Sequence, residues 1–465
     1  VEFPRGPCDG APSSFRGRTI GVEQGPTVAK HPNQPLPECF PDSFVEDTRI
    51  QVSVSPLKPA SVPFRLLATF VSSFHPRALR PMLRRNYARE LTAWAFLPLM
   101  LGCIQGGTMG VVLKKGFTGV DGLGDREIDL AVGAVAASTA IGNLTSGLWA
   151  ALANGRRKVP FLTGLMIATT CCVAAMAFVP RSAFGAWMLV GLVVLGWVFW
   201  SGVVTIRTTV WRGNYPDADR ATVAGRIATV QVLVMALAGL MIGQALDRSM
   251  DDAKYVFPAL AVAGVVGAMV YSRVRLRGQS RLARAERSGV GHERASFNPL
   301  SVLRILTEDR RYAGYMACMM VFGFGNLMIG PTVAIILEDE FETSYLVAIL
   351  VTSVVPLAVM PVAIPIWAKL LGSRHVIEFR AFHSWTFVTA SLLFLIAVEN
   401  NLLPLMFVAA ATLGVGFAGG MLAWNLGHQS FAPPHRDAQY MSVHVILTGL
   451  RGLLAPFVGV LIYTS

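Results

Sequence analysis

Eleven long apolar runs constrain the fold of this 465-residue chain more than any other feature of its sequence. Each run approaches the ~20 residues that an α-helix needs to cross the hydrocarbon core of a bilayer. They lie at about residues 91–113, 128–153, 159–179, 184–210, 224–247, 255–272, 313–337, 343–370, 381–398, 402–427 and 438–463. Only 15% of the residues are charged, against about 25% in soluble domains. We therefore predict an all-α integral membrane protein.

Three hydrophilic segments separate or precede these spans. Residues 1–63 contain eleven prolines and no sustained periodicity, which predicts a disordered tail. Residues 64–90 are basic and partly apolar, so they form either an amphipathic helix on an anionic membrane surface or a solvated lead-in. Residues 273–312, with ten arginines, are predicted to be a cytoplasmic linker. This linker separates an N-terminal half, 91–272 (spans 1–6), from a C-terminal half, 313–465 (spans 7–11).

The charges of the loops predict the orientation of the chain. Basic loops alternate with neutral or acidic loops, as the positive-inside rule requires. The N-terminus is therefore expected in the cytoplasm, and we place the protein in a bacterial inner membrane. The net charge of +12 follows from this topology. The charge therefore does not indicate binding of nucleic acid. The expected environment and partner of the protein is the lipid bilayer.

An internal repeat relates the two halves. Trp149 to Leu152, followed by Arg156, matches Trp367 to Leu370, followed by Arg374, at an offset of 218 residues. A second stretch matches at an offset of 217, with Gly202, Pro216 and Ala221 opposite Gly419, Pro433 and Ala438. Two homologous halves in the same orientation are a known transporter architecture. The repeat predicts a sixth helix in the second half, but the sequence stops at Ser465, after the eleventh span. Either the sequence is a fragment or the protein has lost its twelfth helix.

The loop between spans 2 and 3 carries a family resemblance. Residues 147–158 read GLWAALANGRRK, which resembles the signature of the major facilitator superfamily. The Gly-Arg-Arg-Lys end matches, but Leu152 stands where that family has an Asp, which leaves the family's charge relay without its acid. The loop after span 4, Tyr215 to Ala221, is similar to the family's Pro-x-x-x-Arg stretch. The resemblance covers residues 91–463 and implies a secondary transporter of two six-helix halves, with gating loop residues Gly155, Arg156, Arg157, Lys158, Asp219, Arg220 and Arg374.

Polar residues inside the spans are the candidates for substrate binding, because charged groups in hydrocarbon cost at least ~2.5–3.5 kcal/mol. Arg451, in the middle of span 11, either binds an anionic group of a substrate or pairs with a carboxylate or backbone carbonyls. Gln105 in span 1 and Asn326 in span 7 lie among glycines at comparable places in the two halves. They either line a central cavity or join helices. Weaker candidates are Gln231, Trp424 and Asn425.

No Asp or Glu lies at the centre of a predicted span, so a carboxylate relay for protons is not predicted. The mid-span groups that could titrate are His383 and His444. Facilitated diffusion, exchange with a counter-solute and a His-linked proton step therefore stay open. The sequence shows no nucleotide-binding, metal-binding or hydrolase motif. We expect no enzymatic activity, no cofactor and no metal.

The residues favour a secondary transporter that moves a small organic solute with an anionic group, held by Arg451, Gln105 and Asn326. Efflux of an uncharged amphipathic compound is one alternative. A receptor or assembly factor that kept the fold and lost transport is another.

Overall fold

Helices form the framework of the protein, and eleven of them are long and apolar enough to cross a membrane. The computed structural model describes residues 72–288, 299–433 and 437–465, and within these residues it contains no β-strand. The predicted all-α fold with eleven spans is confirmed. The tail predicted for residues 1–63 lies outside the described residues.

Several spans are broken into consecutive helices. These are spans 1, 2 and 8. The eleven spans, in chain order, are span 1 (Pro81–Trp94, Leu97–Gly102, Gly106–Phe117), span 2 (Asp125–Leu144, Ser146–Ala153), span 3 (Lys158–Ala175), span 4 (Ala183–Asn214), span 5 (Asp217–Arg248), span 6 (Ala253–Tyr271), span 7 (Arg310–Asp339), span 8 (Tyr345–Ile349, a π-helical turn Leu350–Val354, Val355–Ser373), span 9 (Val376–Glu399), span 10 (Leu403–Leu426) and span 11 (Asp437–Tyr463). Among the described residues between spans 6 and 7 there are two helices, the linker helix Gln279–Ser288 and Pro299–Glu308.

Span 1 begins ten residues before the apolar run, at Pro81. A proline is well placed there, since the first helical N–H has no partner within the helix. Leu83, Tyr87, Glu90 and Trp94 follow one another at helical spacing and are all buried. This face packs against spans 5 and 6. The end of the basic lead-in is therefore an integral part of the bundle.

The repeat seen in the sequence is also a repeat of side-chain contacts. The indole Nε1 of Trp149 donates to the carbonyl of Val198 at 2.8 Å, and that of Trp367 donates to the carbonyl of Val415 at 2.9 Å. Phe161 and Phe379 each meet the corresponding indole edge-on. Each half therefore packs its second span on its fourth in the same way.

The halves meet through small residues, which let helix backbones approach closely. Along spans 2 and 11, Gly452 lies on Ala140 and Gly449 on Leu144. Between spans 5 and 8, Gly243 packs on Leu346. Residues 154–157, 215–220, 273–288, 299–309 and 374–375 lie at what is called here the basic end of the bundle. Loops at 118–124 and 340–344, together with 249, form the acidic end.

Substitution of the paired glycines tests the repeat. A Cβ on Gly202 would lie 2.8 Å from Cγ of Trp149, and one on Gly419 would lie 2.8 Å from Nε2 of His383. Gly202→Ala and Gly419→Ala are each expected to destabilise the protein by about 1–3 kcal/mol through overpacking. Thermal unfolding of the purified protein in detergent measures this. Gly191→Ala is the control, since its Cβ would meet nothing within 4 Å. Unchanged unfolding midpoints for the first two variants would contradict the prediction.

Candidate functional site

Span 1 is interrupted in the middle of the bundle. One helix ends at Gly102 and the next begins at Gly106, with Gln105 in extended conformation before it. The carbonyl of Ile104 accepts a hydrogen bond from the indole of Trp197 at 2.6 Å. The Oε1 atom of Gln105 is buried without a hydrogen-bond partner. Non-helical backbone at membrane depth is tolerated where it is buried in protein or lines a cavity, and transporters place such breaks at their binding sites.

The three principal candidates lie in one layer of the bundle, on three helices. Gly106, next to Gln105, packs on Ala136 of span 2. Gly452, next to Arg451, packs on Ala140 of the same span, about 6 Å further along at 1.5 Å per residue. Asn326 is three residues beyond Gly323, which touches the Arg451 side chain. No hydrogen bond within the described part of the chain joins Gln105, Asn326 and Arg451 to one another, and Oδ1 of Asn326 is also unpartnered.

Arg451 is held between spans 11 and 7. One terminal nitrogen donates to the carbonyl of Met319, and any Cβ at Gly323 would overlap the guanidinium. The Nε atom is buried and unpartnered. No ion pair to Arg451 occurs among the side chains that the structure describes. A structural role for Arg451 predicts pairing with a carboxylate or with backbone carbonyls. Of these two kinds of partner, the described structure contains only a backbone carbonyl, that of Met319.

A second arginine and a histidine lie within electrostatic range of Arg451. Arg380 of span 9 and His444 of span 11 are 9% and 1% exposed, and both interact with its charge. We call Arg380, His444 and Arg451 the cationic cluster. Nε of Arg380 and both ring nitrogens of His444 have no hydrogen-bond partner, nor do the hydroxyls of Tyr315 and Thr448 beside them. Arg380 directly precedes the apolar run predicted for span 9 (381–398), so the sequence pattern places it in a loop.

The weaker candidates divide into two groups. The ring of Trp424 meets that of His444 edge-on, with centroids 5.7 Å apart, so Trp424 borders the cationic cluster. The amide of Gln231 contacts Met235 on its own helix, and that of exposed Asn425 donates to the Met421 carbonyl at 2.7 Å. These two amides are engaged locally and lie outside the cluster.

The signature loop receives a carboxylate from the linker helix. Oε2 of Glu286 accepts from the backbone N–H of Gly155 at 2.7 Å and pairs with Nζ of Lys158 at 2.8 Å. The guanidinium of Arg287 donates to the Gly155 carbonyl at 3.0 and 3.1 Å. Gly155 has φ +68°, which favours glycine. Glu286 thus brings a carboxylate to the loop in which Leu152 stands at the acidic position.

The other gating candidates are engaged more loosely at the basic end. Asp219 pairs with exposed Arg80 at 3.5 Å, and Arg220 donates to the Tyr215 carbonyl at 3.2 Å. Exposed Arg374 pairs with Glu378 one turn along its own span. Arg156 lies over the ring of Phe161, and Arg157 is exposed.

A buried carboxylate in the N-terminal half escaped the sequence analysis because it precedes the predicted span. Glu90 is fully buried, and its Oε2 accepts from the Trp211 indole at 2.7 Å. The guanidinium of Arg207 lies between the rings of Trp94 and Trp211, at 4.2 and 4.5 Å from their centroids. Burial, and then the negative charge of Glu90, raises the pKa of the nearby Tyr215 hydroxyl, which therefore stays protonated.

Ion pairs join the two halves at the acidic end. Lys114 of span 1 contacts Asp129 at 2.7 Å and Asp339 of span 7 at 2.9 Å. Lys115 pairs with Glu338, also of span 7. These contacts close the acidic end between the halves.

The basic end of the C-terminal half contains an open cavity of about 610 Å³. Asp309, Arg311, His375, Ile377, Ser430 and Phe431 line it. The centroid of the Phe431 ring lies 4.9 Å from that of Tyr315. The cavity therefore ends against Phe431 and Tyr315, and Tyr315 borders the cationic cluster.

The sequence and the fold are similar to those of known membrane transporters. A sequence profile described as the Major Facilitator Superfamily matches residues 70–456. Among solved structures, the xylose transporter XylE from E. coli, in a partially occluded inward-open conformation, superposes with a TM-score of 0.58 at 12% identity, covering 82% of this chain and 92% of that one. A D-xylose–proton symporter gives 0.59 at 13%, covering 81% and 90%. A bacterial homologue of the human lysosomal transporter Spinster, inward-facing and occupied, gives 0.55 at 16%, covering 83% of each. No curated protein matches the sequence significantly.

The eleven membrane-spanning helices, the repeated halves and the broken first span form the fold seen in these membrane transporters. The chain belongs to the Major Facilitator Superfamily. Its fold supports secondary transport by alternating access.

Removal of the ion pairs between the halves is expected to open the acidic end. Asp339→Asn with Glu338→Gln removes both pairs while Lys114 keeps Asp129, so the protein should still fold. Spin labels at exposed Asp121 and Asn400, in a background without other cysteines, report the separation of the halves at that end. Electron–electron resonance should show longer distances in the double variant.

The control is Asp251→Asn, which removes an exposed ion pair to Lys254 three residues away. It should leave the distance distribution unchanged. An unchanged distribution in the double variant would mean that the ion pairs do not hold this end closed.

Proposed function

We propose that this protein is a secondary transporter for a small organic solute with an anionic group, and that Arg451 binds that group. One observation carries the proposal: Arg451 lies in the layer of the span-1 break with a buried, unpartnered Nε and no carboxylate against it among the described side chains. A guanidinium held in this way favours an incoming anion, with which it forms charge-assisted hydrogen bonds. Gln105 and Asn326, each with an unpartnered amide oxygen, would accept hydrogen bonds from the rest of the solute.

We further propose that the basic end faces the cytoplasm of a bacterial inner membrane, with the N-terminus on the same side. The alternation of basic and acidic loops supports this orientation. The ion pairs of Lys114 and Lys115 close the opposite end, and the cavity beside Phe431 opens at the basic end. On this assignment the solute exchanges with the cytoplasm in the conformation described.

A coupling proton has a suitable site at Glu90. A proton neutralises this carboxylate, whereas the Trp211 indole and the Arg207 guanidinium face it and favour its charged form. Neutralisation would weaken the attraction between Glu90 of span 1 and Arg207 of span 4. Such a change can bias helices that move against one another. One structurally similar protein is a proton symporter, which supports coupling of the same kind.

Neutralisation of Arg451 tests the proposed substrate class. A panel of organic anions and their uncharged esters or amides is screened by the shift in thermal unfolding of the purified protein, since a ligand of the folded state raises its midpoint. Anions are expected among the binders, and Arg451→Gln should abolish their shifts. Exposed Arg126→Gln, near the acidic end, is the matched control. If the binders are uncharged and insensitive to Arg451→Gln, the proposal is wrong and the efflux alternative is favoured.

Substitution of Glu90 tests the coupling. In proteoliposomes, uptake of the best anion from the panel should depend on a pH gradient in the wild type and lose that dependence in Glu90→Gln, which mimics the neutral carboxylate. Counterflow without a gradient should persist, showing that the variant still folds and binds. Exposed Glu378→Gln is the control. An unchanged gradient dependence in Glu90→Gln would exclude Glu90 as the coupling group.

A further inference from the structure

We infer that the solute carries two negative charges on one compact group, as a phosphate monoester does, and that Arg380 and His444 bind it together with Arg451. This inference rests on the proposed function and specifies its substrate class. It extends the binding site from one arginine to the cationic cluster inside the C-terminal half.

The first argument is charge balance. The side chains of Arg380 and Arg451 both lie inside the C-terminal half. Neither forms an ion pair with any carboxylate whose position is described. Asp309 already caps span 7, accepting from the Tyr312 N–H at 2.9 Å and the Tyr440 hydroxyl at 3.0 Å. Glu378 pairs with Arg374. A monocarboxylate would compensate one of the two guanidinium charges, whereas a dianion would compensate both.

The second argument is the set of hydrogen-bonding groups. Buried and unpartnered nitrogens of Arg380, His444 and Arg451 come from spans 9 and 11, and the unpartnered Tyr315 hydroxyl comes from span 7. The Thr448 hydroxyl lies one turn before Arg451. A phosphate monoester has three terminal oxygens in a tetrahedral arrangement. It can therefore accept from donors on three sides, whereas a planar carboxylate has two oxygens.

The third argument is access. The cavity at the basic end is lined by Arg311 and His375, which favour an anion, and by Asp309, which opposes one. Phe431 lies between this cavity and Tyr315, with ring centroids 4.9 Å apart. Movement of these two rings would connect the cavity with the cationic cluster. An anion would then enter along the C-terminal half and meet Arg380 and Arg451 in turn.

Phenyl phosphate and benzoate form a matched pair of probes, since they share a ring and differ in the charged group. Calorimetric titration of the purified protein at pH 7.5 should show phenyl phosphate binding at least about tenfold more tightly than benzoate, because it adds charge-assisted hydrogen bonds. Arg380→Gln should reduce phenyl phosphate binding to the level of benzoate and leave benzoate binding nearly unchanged. Arg380→Lys should retain part of the preference. Inorganic phosphate should compete with phenyl phosphate.

Arg126→Gln, an exposed arginine near the acidic end, is the control and should bind both probes as the wild type does. Thermal unfolding establishes that each variant folds. Equal binding of both probes, or a preference that survives Arg380→Gln, would overturn this inference while the proposed function stands. Failure of inorganic phosphate to compete would also overturn it. If neither phenyl phosphate nor benzoate binds to the wild type, the proposed function fails as well.

Discussion

A charged side chain buried in a membrane-spanning bundle needs a counter-charge or hydrogen-bond partners, because an isolated charge in hydrocarbon is costly. In this protein such pairings connect several of the helices. In the N-terminal half, Glu90 lies beside Arg207. At the acidic end, Lys114 meets two carboxylates, one from each half. In the C-terminal half, by contrast, Arg380 and Arg451 have no such partner among the described side chains. An external anion can supply to Arg380 and Arg451 the counter-charge that the described side chains do not.

The two halves share their packing and differ in their chemistry. The indoles of Trp149 and Trp367 make equivalent hydrogen bonds, and equivalent glycines lie against them. Yet Leu165 packs beside Gly202, whereas His383 packs beside Gly419. The repeated contacts build a common scaffold. The residues that depart from the repeat give the two halves different polar groups at equivalent places.

The sequence predicts the spans, the repeat, the signature loop and Arg451, because each depends on local hydrophobicity or on similarity between nearby residues. It did not reveal Glu90 or Arg380, since charged residues at the edge of an apolar run are easily assigned to loops. Helical spacing could have found both: Tyr87, Glu90 and Trp94 share one face, as do Val376, Arg380 and His383. Contacts between distant segments, such as Lys114 with Asp339, leave no comparable signal in a single sequence.

The docking of the linker helix moves the physical border of the N-terminal half. By hydropathy that half ends with span 6, at Tyr271, but the carboxylate of its signature loop comes from Glu286. The first linker helix therefore belongs to the N-terminal half as a structural unit, although it is as polar as the rest of the linker. If the two halves were produced as separate chains, a cut before Gln279 would leave Lys158 without its counter-charge. A cut after Ser288 would keep this counter-charge in the N-terminal fragment.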